Sequence, residues 1–253
     1  MAYGEFAYFY DEFNGEADYQ ALFRYVHGQL CEHGVQDGIL VDLGCGTGDL
    51  TLMLSQAGYD VIGVDGSPEM LSVLREKADE LGIHSRLLLL CQDITGMELY
   101  GTVRAAVSSF DTFNHIGPAE QFEKAVRQTA FFMEKDGVFV FDLNTPYKHE
   151  TVLGDKEYTI EAPDARCEWY NHYDPVAGCV DIRLEITDLP SGEVVEEKFR
   201  EYTYTLEYVK QVLDRYGFTL CAAVDGETFG ELRPESQRWI FTAVKRYTQE
   251  EKQ

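Results

Sequence analysis

The stretch that decides the fold of this chain is residues 38–49, Gly-Ile-Leu-Val-Asp-Leu-Gly-Cys-Gly-Thr-Gly-Asp. It begins with a short apolar run ended by a cluster of glycines, which is typical of a strand buried on both faces of a sheet. From Asp49 to Ala57 the apolar residues follow helical spacing, and Gly58 is placed to end that helix. Residues 59–65 then predict a second strand. The stretch therefore predicts a strand–helix–strand unit.

The same alternation continues along the chain. Ser67 and Pro68 are residues that favour a helix start, and they predict a helix that runs to Leu81. Further elements are an earlier helix near residues 18–32, strands at 85–91, 102–110 and 137–144, and a helix at 118–133. Such alternation favours a parallel sheet with right-handed crossovers and helices on both faces.

The pattern changes between Pro146 and Tyr204. Here β-branched and aromatic residues alternate with charged ones, as in residues 166–174, which predicts antiparallel strands with one face in water. The helical and strand patterns of the first kind return from Leu206, with final strands at 218–225 and 238–246.

The predicted fold class is therefore α/β, with two parts in the chain. Residues 1–145 and 205–247 are expected to form a Rossmann-like, doubly wound, mostly parallel seven-stranded sheet with its helices. Residues 146–204 are expected to form an inserted antiparallel β subdomain, either a lid over a substrate or an interface. Residues 248–253 are predicted to be frayed.

Composition narrows the class of partner. The chain has 253 residues, 45% of them hydrophobic and 26% charged, which suits a globular protein with one sizeable core. Lys and Arg total 21 against 45 Asp and Glu, a net charge of −24, and the basic residues form no run. We therefore expect neither nucleic acid nor an anionic membrane as a partner.

Targeting and metal signals are also weak in this sequence. The acidic, aromatic N-terminus lacks the basic start and apolar run of a signal peptide, and no apolar stretch approaches the roughly 20 residues that span a bilayer. The six cysteines are scattered without a CxxC pair, so we expect neither a metal site nor a disulfide framework. Free thiols favour a cytoplasmic location.

The glycines at positions 44, 46 and 48 predict a ligand site. A turn without Cβ atoms lets a ligand approach the main chain, and the helix that follows offers unpaired N–H groups. The dinucleotide fingerprint G-x-G-x-x-G would need its third glycine where this chain has Asp49. A carboxylate there repels a pyrophosphate and suits a ligand with a cationic part. The pattern thus favours a nucleotide-like ligand other than NAD, bound beyond the carboxyl ends of the strands.

The sequence resembles the class I S-adenosylmethionine-dependent methyltransferases, whose first motif is an acidic residue followed two positions later by G-x-G-x-G. The residues that match this motif are Asp42, Gly44, Gly46 and Gly48. The resemblance also covers Asp65, where the family places the carboxylate that holds both ribose hydroxyls, and Asp93, the usual partner of the adenine amino group. It spans nearly the whole chain if residues 146–204 are the family's variable insertion.

The resemblance implies S-adenosylmethionine as the cofactor. Phe6-Ala7 and Tyr10-Asp11 resemble the opening of small bacterial-type members, where the tyrosine closes over the cofactor. Aromatic rings such as Tyr10 and Phe110 favour the sulfonium through cation–π attraction. The implied cofactor-binding residues are Tyr10, Asp42, Gly44, Cys45, Gly46, Thr47, Gly48, Asp65, Gly66, Met70, Gln92, Asp93, Ile94, Ser109 and Phe110.

Residues 108–115 follow the fourth predicted strand, where this fold brings the methyl acceptor to the cofactor. His115 is the candidate catalytic residue because imidazole titrates near neutral pH, although it equally suits a helix cap near Pro118 or a side chain that faces water. The expected reaction is methyl transfer to an N or O nucleophile of a small molecule, by a monomer or homodimer. The sequence does not identify that molecule.

Several alternatives stay open at this point. Asp93 also suits a turn cap, His149 either a hinge or no role, and the aromatic residues of 166–173 either a lid or an ordinary sheet core. A nicotinamide-dependent oxidoreductase on a related sheet and a non-catalytic S-adenosylmethionine-binding protein are the alternative functions.

Overall fold

The computed structural model describes residue 7 and residues 10–13, 18–83 and 85–246. Phe6 and residues 248–253, which the sequence analysis singled out, lie outside this range. The described part opens with helices α1 (Tyr10–Phe13) and α2 (Tyr19–Glu32). The Asp18 carboxylate begins α2 by accepting a hydrogen bond from the backbone N–H of Ala21 at 2.8 Å.

The first half of the chain alternates strands and helices, as predicted. Its elements are β1 (Gly38–Leu43), α3 (Asp49–Gln56), β2 (Tyr59–Asp65), α4 (Pro68–Leu81), β3 (Leu87–Cys91), β4 (Val103–Ser108), α5 (Thr112–His115), α6 (Ala119–Phe132) and β5 (Met133–Asn144). Helix α4 begins where the Ser67 hydroxyl accepts a hydrogen bond from Met70 N, and it ends at left-handed Gly82. Strand β5 starts four residues before Gly137, the predicted first residue of this strand, because Met133 already pairs with Val103.

These strands form a seven-stranded sheet with the order β10-β11-β5-β4-β1-β2-β3, completed by β10 (Phe218–Asp225) and β11 (Arg238–Lys245) after helix α7 (Leu206–Arg215). Only β11 runs antiparallel to its neighbours. The predicted mostly parallel, doubly wound sheet is thereby confirmed. The chain reverses its direction of growth between β1 and β4, and this switch point opens a crevice at the carboxyl ends of those strands.

A second, four-stranded antiparallel sheet lies between β5 and α7 in the sequence. A π-helical turn (Lys148–Leu153) leads into β6 (Glu157–Glu161), β7 (Ala165–Asp174), β8 (Cys179–Asp188) and β9 (Val194–Tyr202). Alternate side chains of β8, from Val180 to Ile186, are buried on one face. Tyr10 and Phe13 of α1 pack against that face, so α1 connects the second sheet to the first.

The core of the main sheet has two layers. Phe113, Phe139 and Phe141 belong to the layer between the sheet and helices α6 and α7, while Leu40, Val107 and Val140 belong to the layer under α2 and α3. Within the described ranges, the helices lack the combination of length and apolarity that crossing a membrane needs.

Candidate active site

The glycine turn after β1 uses positive φ angles of 71° at Gly44, 52° at Gly46 and 88° at Gly48. A Cβ added at Gly44 would lie 2.3 Å from Thr112, and one at Gly48 would lie 1.9 Å from Leu74. A Cβ at Gly46 would meet no described atom within 4 Å. Close packing thus requires glycine at positions 44 and 48, whereas the main chain at Gly46 faces open space.

Asp65, the last residue of β2, ties this turn to the next strand. One carboxylate oxygen accepts a hydrogen bond from Gly46 N at 2.9 Å, and the other accepts one from Ser67 N at 2.8 Å. Burial raises the pKa of the Asp65 carboxyl, and these backbone N–H groups oppose the shift. The carboxylate is therefore held in one orientation at the end of the strand.

Asp42 takes a different place from the one expected of a cofactor-binding residue. Its residue exposure is 2%, one oxygen accepts a 2.5 Å hydrogen bond from the Thr51 hydroxyl, and the other has no hydrogen-bond partner in the described part of the chain. Burial raises the pKa of Asp42 to about 7, against the effect of the Thr51 hydrogen bond. Asp42 is hydrogen-bonded to α3 and is not among the residues that line the cleft.

The carboxyl ends of β1, β2, β3 and β4 surround a cleft of about 620 Å³. All the predicted cofactor-binding residues except Asp42 line it, and so does His115. Thr112 lines the cleft as expected of residues 108–115, whereas no motif marked Tyr19, Leu50, Ser67, Cys91 and Ile116 as lining residues, and helix and strand packing brings them there. Among the described residues that line the cleft, none is Lys or Arg. This surface suits a ligand without phosphate groups.

Asp93 caps a turn and also lies in the wall of the cleft. One of its oxygens accepts a hydrogen bond from Thr95 N at 2.7 Å and caps the 3₁₀ turn Ile94–Gly96, and the residue also lines the cleft. Gln92, beside it, is fixed by the 2.8 Å hydrogen bond that its side-chain oxygen accepts from Glu98 N.

Helix α1 is anchored to the glycine turn. The Thr47 hydroxyl donates to Asp11 at 2.6 Å, and the Lys77 ammonium lies 2.6 Å from Asp11 and 3.0 Å from Asp49. These contacts place Tyr10 at the mouth of the cleft, where it also lines a second cavity.

The loop after β4 borders both cavities and is strained. Phe110 and Asp111 have φ angles of 53° and 57°, which are unfavourable for residues with a Cβ. The buried Asp142 carboxylate stabilises this conformation by accepting hydrogen bonds from Phe110 N at 2.8 Å and Asp111 N at 2.7 Å. The Arg238 guanidinium lies 5.0 Å from the centre of the Phe110 ring and 3.7 Å from Asp142.

The second cavity, of about 140 Å³, shares Tyr10, Phe110 and His115 with the cleft. Its remaining walls combine aromatic, charged and aliphatic side chains with one cysteine, and most come from the four-stranded sheet and its flanking turns. The side chains that matter here are Phe13, Asp111, Lys148, Trp169, Phe199, Glu201 and Arg238. A small molecule in this cavity would therefore meet the cleft at His115 and the two shared aromatic rings.

His115 lies between two carboxylates and is half-buried. Its Nε2 is 3.4 Å from Asp111 Oδ2 and 3.8 Å from Glu201 Oε1, and its ring packs on Phe199. Burial lowers the pKa of His115, but the hydrogen bond to Asp111 and the charge of Glu201 outweigh burial and raise it above its ordinary value. His115 is thus an imidazole that titrates above its usual range at the junction of the cavities.

Asp111, His115 and Glu201 offer ligand atoms within 4.8 Å of one another, a spacing that suits a metal ion. The cation Arg238 lies 3.8 Å from Asp111, and the Asn144 amide donates to Asp111 at 3.1 Å and to Glu201 at 2.8 Å. Because these groups already neutralise and bond the carboxylates, we interpret the cluster as a hydrogen-bonded ion network.

The region that forms the cleft resembles a known protein family. Residues 40–137, which contain most of the strands around the cleft, match a sequence family described as a methyltransferase domain. A relative from Geobacillus sp. (strain WCH70), named as a methyltransferase without a stated substrate, is 27% identical over 251 residues, covering 97% of this chain and 100% of the relative.

Solved structures share the fold. A crystal structure of an S-adenosylmethionine-dependent methyltransferase from Clostridium acetobutylicum ATCC 824 has a TM-score of 0.87 at 24% identity and covers 96% of this chain and 98% of its own. An amino pentose methyltransferase from Micromonospora echinaspora, solved with S-adenosylmethionine bound, has a TM-score of 0.73 at 17% identity, covering 97% and 98%. These two structures show the fold, while the methyltransferase-domain match and the Geobacillus relative favour a methyltransferase over a nicotinamide-dependent oxidoreductase.

Proposed function

We propose that this chain, a class I S-adenosylmethionine-dependent methyltransferase, methylates an N or O nucleophile of a small molecule held in the second cavity. The observation that carries the proposal is the junction of the two cavities, where His115, Tyr10 and Phe110 line both. S-adenosylmethionine supplies a methyl group on a positively charged sulfur that leaves as a neutral thioether. The protein's task is to align a nucleophile with that group and exclude water.

Different residues of the cleft would bind different parts of the cofactor. The Asp65 carboxylate would accept hydrogen bonds from the ribose hydroxyls, and Asp93 would accept one from the adenine amino group. The open main chain at Gly46 and Gly66 would lie against the cofactor, since a Cβ at either position would meet no described atom. Tyr10 and Phe110 would face the cationic sulfur. The absence of Lys and Arg from the described lining supports this assignment.

An amine is the acceptor that the second cavity favours. The rings of Trp169 and Phe199 offer favourable faces for a cationic ammonium group, while the Asp111 and Glu201 carboxylates balance the charges of Lys148 and Arg238 in the same wall. The name of the amino pentose methyltransferase, which has the same fold, is compatible with this choice. An ammonium group has no lone pair to attack with, so its proton must leave first, and neutral His115 is placed to accept it.

The four-stranded sheet would serve as the acceptor-binding subdomain over residues 146–204, because Trp169, Phe199 and Glu201 reach the second cavity from it. The net charge of −24 disfavours nucleic acid as the acceptor. All six cysteines are free thiols, which supports a reducing, cytoplasmic setting. We expect the protein to act there as a monomer or homodimer.

The direct test is a methyl-transfer screen of the purified protein against small amines, carboxylic acids and phenols, with release of S-adenosylhomocysteine as the readout. We expect turnover with amines. Turnover confined to acids would contradict the amine assignment, and cofactor binding without turnover on any class would favour a non-catalytic protein. Calorimetry with NADH in parallel should show no binding, and tight NADH binding would support the oxidoreductase alternative.

His115→Ala should lower kcat by about tenfold, or about 1.4 kcal/mol, because alignment of the nucleophile remains while the proton acceptor is lost. The wild-type rate should rise with pH through the raised pKa of His115, since only the neutral imidazole accepts a proton, and this rise should disappear in the variant. The control is His172→Ala, whose imidazole is exposed and paired with Asp155 at 2.8 Å. An unchanged rate and pH profile in His115→Ala would refute the base role.

Chelation offers a separate check on the ion network around His115. Because Asn144 and Arg238 already bond and neutralise the carboxylates, turnover should stay the same after dialysis against EDTA, measured by S-adenosylhomocysteine release. A loss of turnover that added Mg²⁺ or Zn²⁺ restores would show instead that Asp111, His115 and Glu201 hold a metal ion.

A further inference from the structure

Glu201 and His149 form a buried pair that methyl transfer itself does not use. The side chain of Glu201, on β9, is 4% exposed, and that of His149, on the π-helical turn, is 0% exposed. Glu201 Oε2 lies 2.9 Å from His149 Nε2 and accepts a 2.8 Å hydrogen bond from the Asn144 amide. Its other oxygen, Oε1, lies 3.8 Å from His115 Nε2. One oxygen is held by two buried groups, and the other faces the proposed base.

The surroundings of His149 fix its tautomer. Its Nδ1 is buried and has no hydrogen-bond partner in the described part of the chain. A buried N–H without an acceptor is costly, so the tautomer that suits this site has its proton on Nε2. In that tautomer His149 donates from Nε2 to Glu201 and orients the carboxylate.

The orientation of Asn144 agrees with this arrangement. Its side-chain oxygen accepts a 2.9 Å hydrogen bond from the Lys148 ammonium, which leaves the Nδ2 group to donate to Glu201. Because Asn144 ends β5 of the main sheet and Glu201 lies on β9, this hydrogen bond also joins the two sheets.

We propose that Glu201 is a positioning residue, which keeps an ionised oxygen against His115 so that the imidazole presents a fixed orientation and a fixed charge balance to the acceptor. The proposal rests on the proposed function in which His115 takes the acceptor's proton. Burial opposes ionisation of Glu201, but the His149 hydrogen bond and the nearby His115 hold the pKa of the Glu201 carboxyl well below its usual range. The second sheet thereby contributes to the chemistry as well as to the cavity wall.

Other groups face His115 from every element around it. Asp111, on the turn before α5, supports its positive form, and Lys148, from the π-helical turn, opposes that form. Arg238 of β11 lies 3.8 Å from Asp111 and partly neutralises it. Tyr10 of α1 borders the same cavity. Of the two carboxylates beside His115, Glu201 is the more deeply buried, so removal of its charge should have a strong effect.

The test is Glu201→Gln, which keeps the shape and the oxygen that accepts from His149 and Asn144 but removes the charge. NMR titration of histidine ring signals, with the His115 signal assigned from the spectrum of His115→Ala, should show the pKa of His115 falling by about one pH unit. The midpoint of the pH–rate profile should move to lower pH by a similar amount. Glu201→Asp, which keeps the charge, should retain most of the wild-type pKa.

Glu196→Gln is the matched control, because Glu196 is an exposed glutamate of the same strand, paired with Lys198 and Arg183, and its loss should leave the His115 titration unchanged. An unchanged pKa of His115 in folded Glu201→Gln would overturn the proposal. If Glu201→Gln does not fold, the wild-type titration decides, since a His115 pKa below about 6.5 contradicts the proposal.

The titration uses no acceptor and so distinguishes two kinds of failure. If His115→Ala retains its full rate while Glu201→Gln still shifts the titration of His115, the base role fails and the positioning contact stands. If the rate falls in His115→Ala but the His115 titration is unchanged in Glu201→Gln, the base role stands and the positioning role fails.

Discussion

Asp65→Ala is expected to weaken S-adenosylmethionine binding about a hundredfold, or about 2.7 kcal/mol, measured by calorimetry. The substitution removes the carboxylate proposed to hold the ribose hydroxyls. It also leaves the N–H groups of Gly46 and Ser67 without the acceptor they have at 2.9 Å and 2.8 Å. The open main chain at Gly46 would then lose its fixed position, so both the hydrogen bonds and the shape of the site should suffer.

Asp60→Ala is the matched control for this prediction. Asp60 lies near the opposite end of β2, its side chain is exposed, and its loss should leave the binding constant unchanged. The cofactor affinity of Asp65→Asn should lie between those of Asp65→Ala and Asp60→Ala, because an amide still offers one oxygen acceptor but no charge. Wild-type affinity in Asp65→Ala would contradict the proposed place of the ribose.

Gly48→Ala is expected to lower the free energy of unfolding by about 3 kcal/mol, the sum of left-handed strain and overpacking. Its φ of 88° is unfavourable for alanine, and the new Cβ would lie 1.9 Å from Leu74 Cδ1, in the packed layer between α3 and α4. Chemical denaturation of the purified variant measures the change.

Gly46→Ala separates packing from ligand contact in the same turn. A Cβ at Gly46 meets no described atom, so this variant should lose only about 1 kcal/mol of stability to left-handed strain. Its cofactor affinity should nevertheless fall, because the methyl group projects into the open space of the cleft. Equal stability of the two variants would show that Leu74 moves aside at little cost.

The course of the main sheet was readable from local patterns. A glycine-ended apolar run predicted β1, and the alternation of strand and helix patterns predicted the parallel sheet. The Ser67–Pro68 start of α4 and its end at Leu81 were placed correctly, because caps act within one helical turn. The start of β5 was misplaced, since pairing of Met133 with Val103 extends the strand through polar residues that no periodicity marks.

Asp42 shows where motif reasoning stops. A motif shows that the residue is present but does not give the direction of its side chain. In the structure the Asp42 carboxyl is buried and accepts a hydrogen bond from Thr51. His149 shows the converse. The sequence offered for it only a hinge or no role, yet the fold buries it against Glu201, 52 residues further along the chain.

The sequence by itself determined the sheet and the glycine turn, since both depend on residues that are neighbours in the chain or that end adjacent strands. Only the tertiary structure decided the second cavity and its ion network. His115, Lys148, Glu201 and Arg238 come from four separate elements, and they meet because the four-stranded sheet packs over the carboxyl ends of the main one. Burial then fixes the protonation of these four side chains, since charges removed from water must neutralise one another. No local sequence pattern shows which charged side chains the fold will bring together.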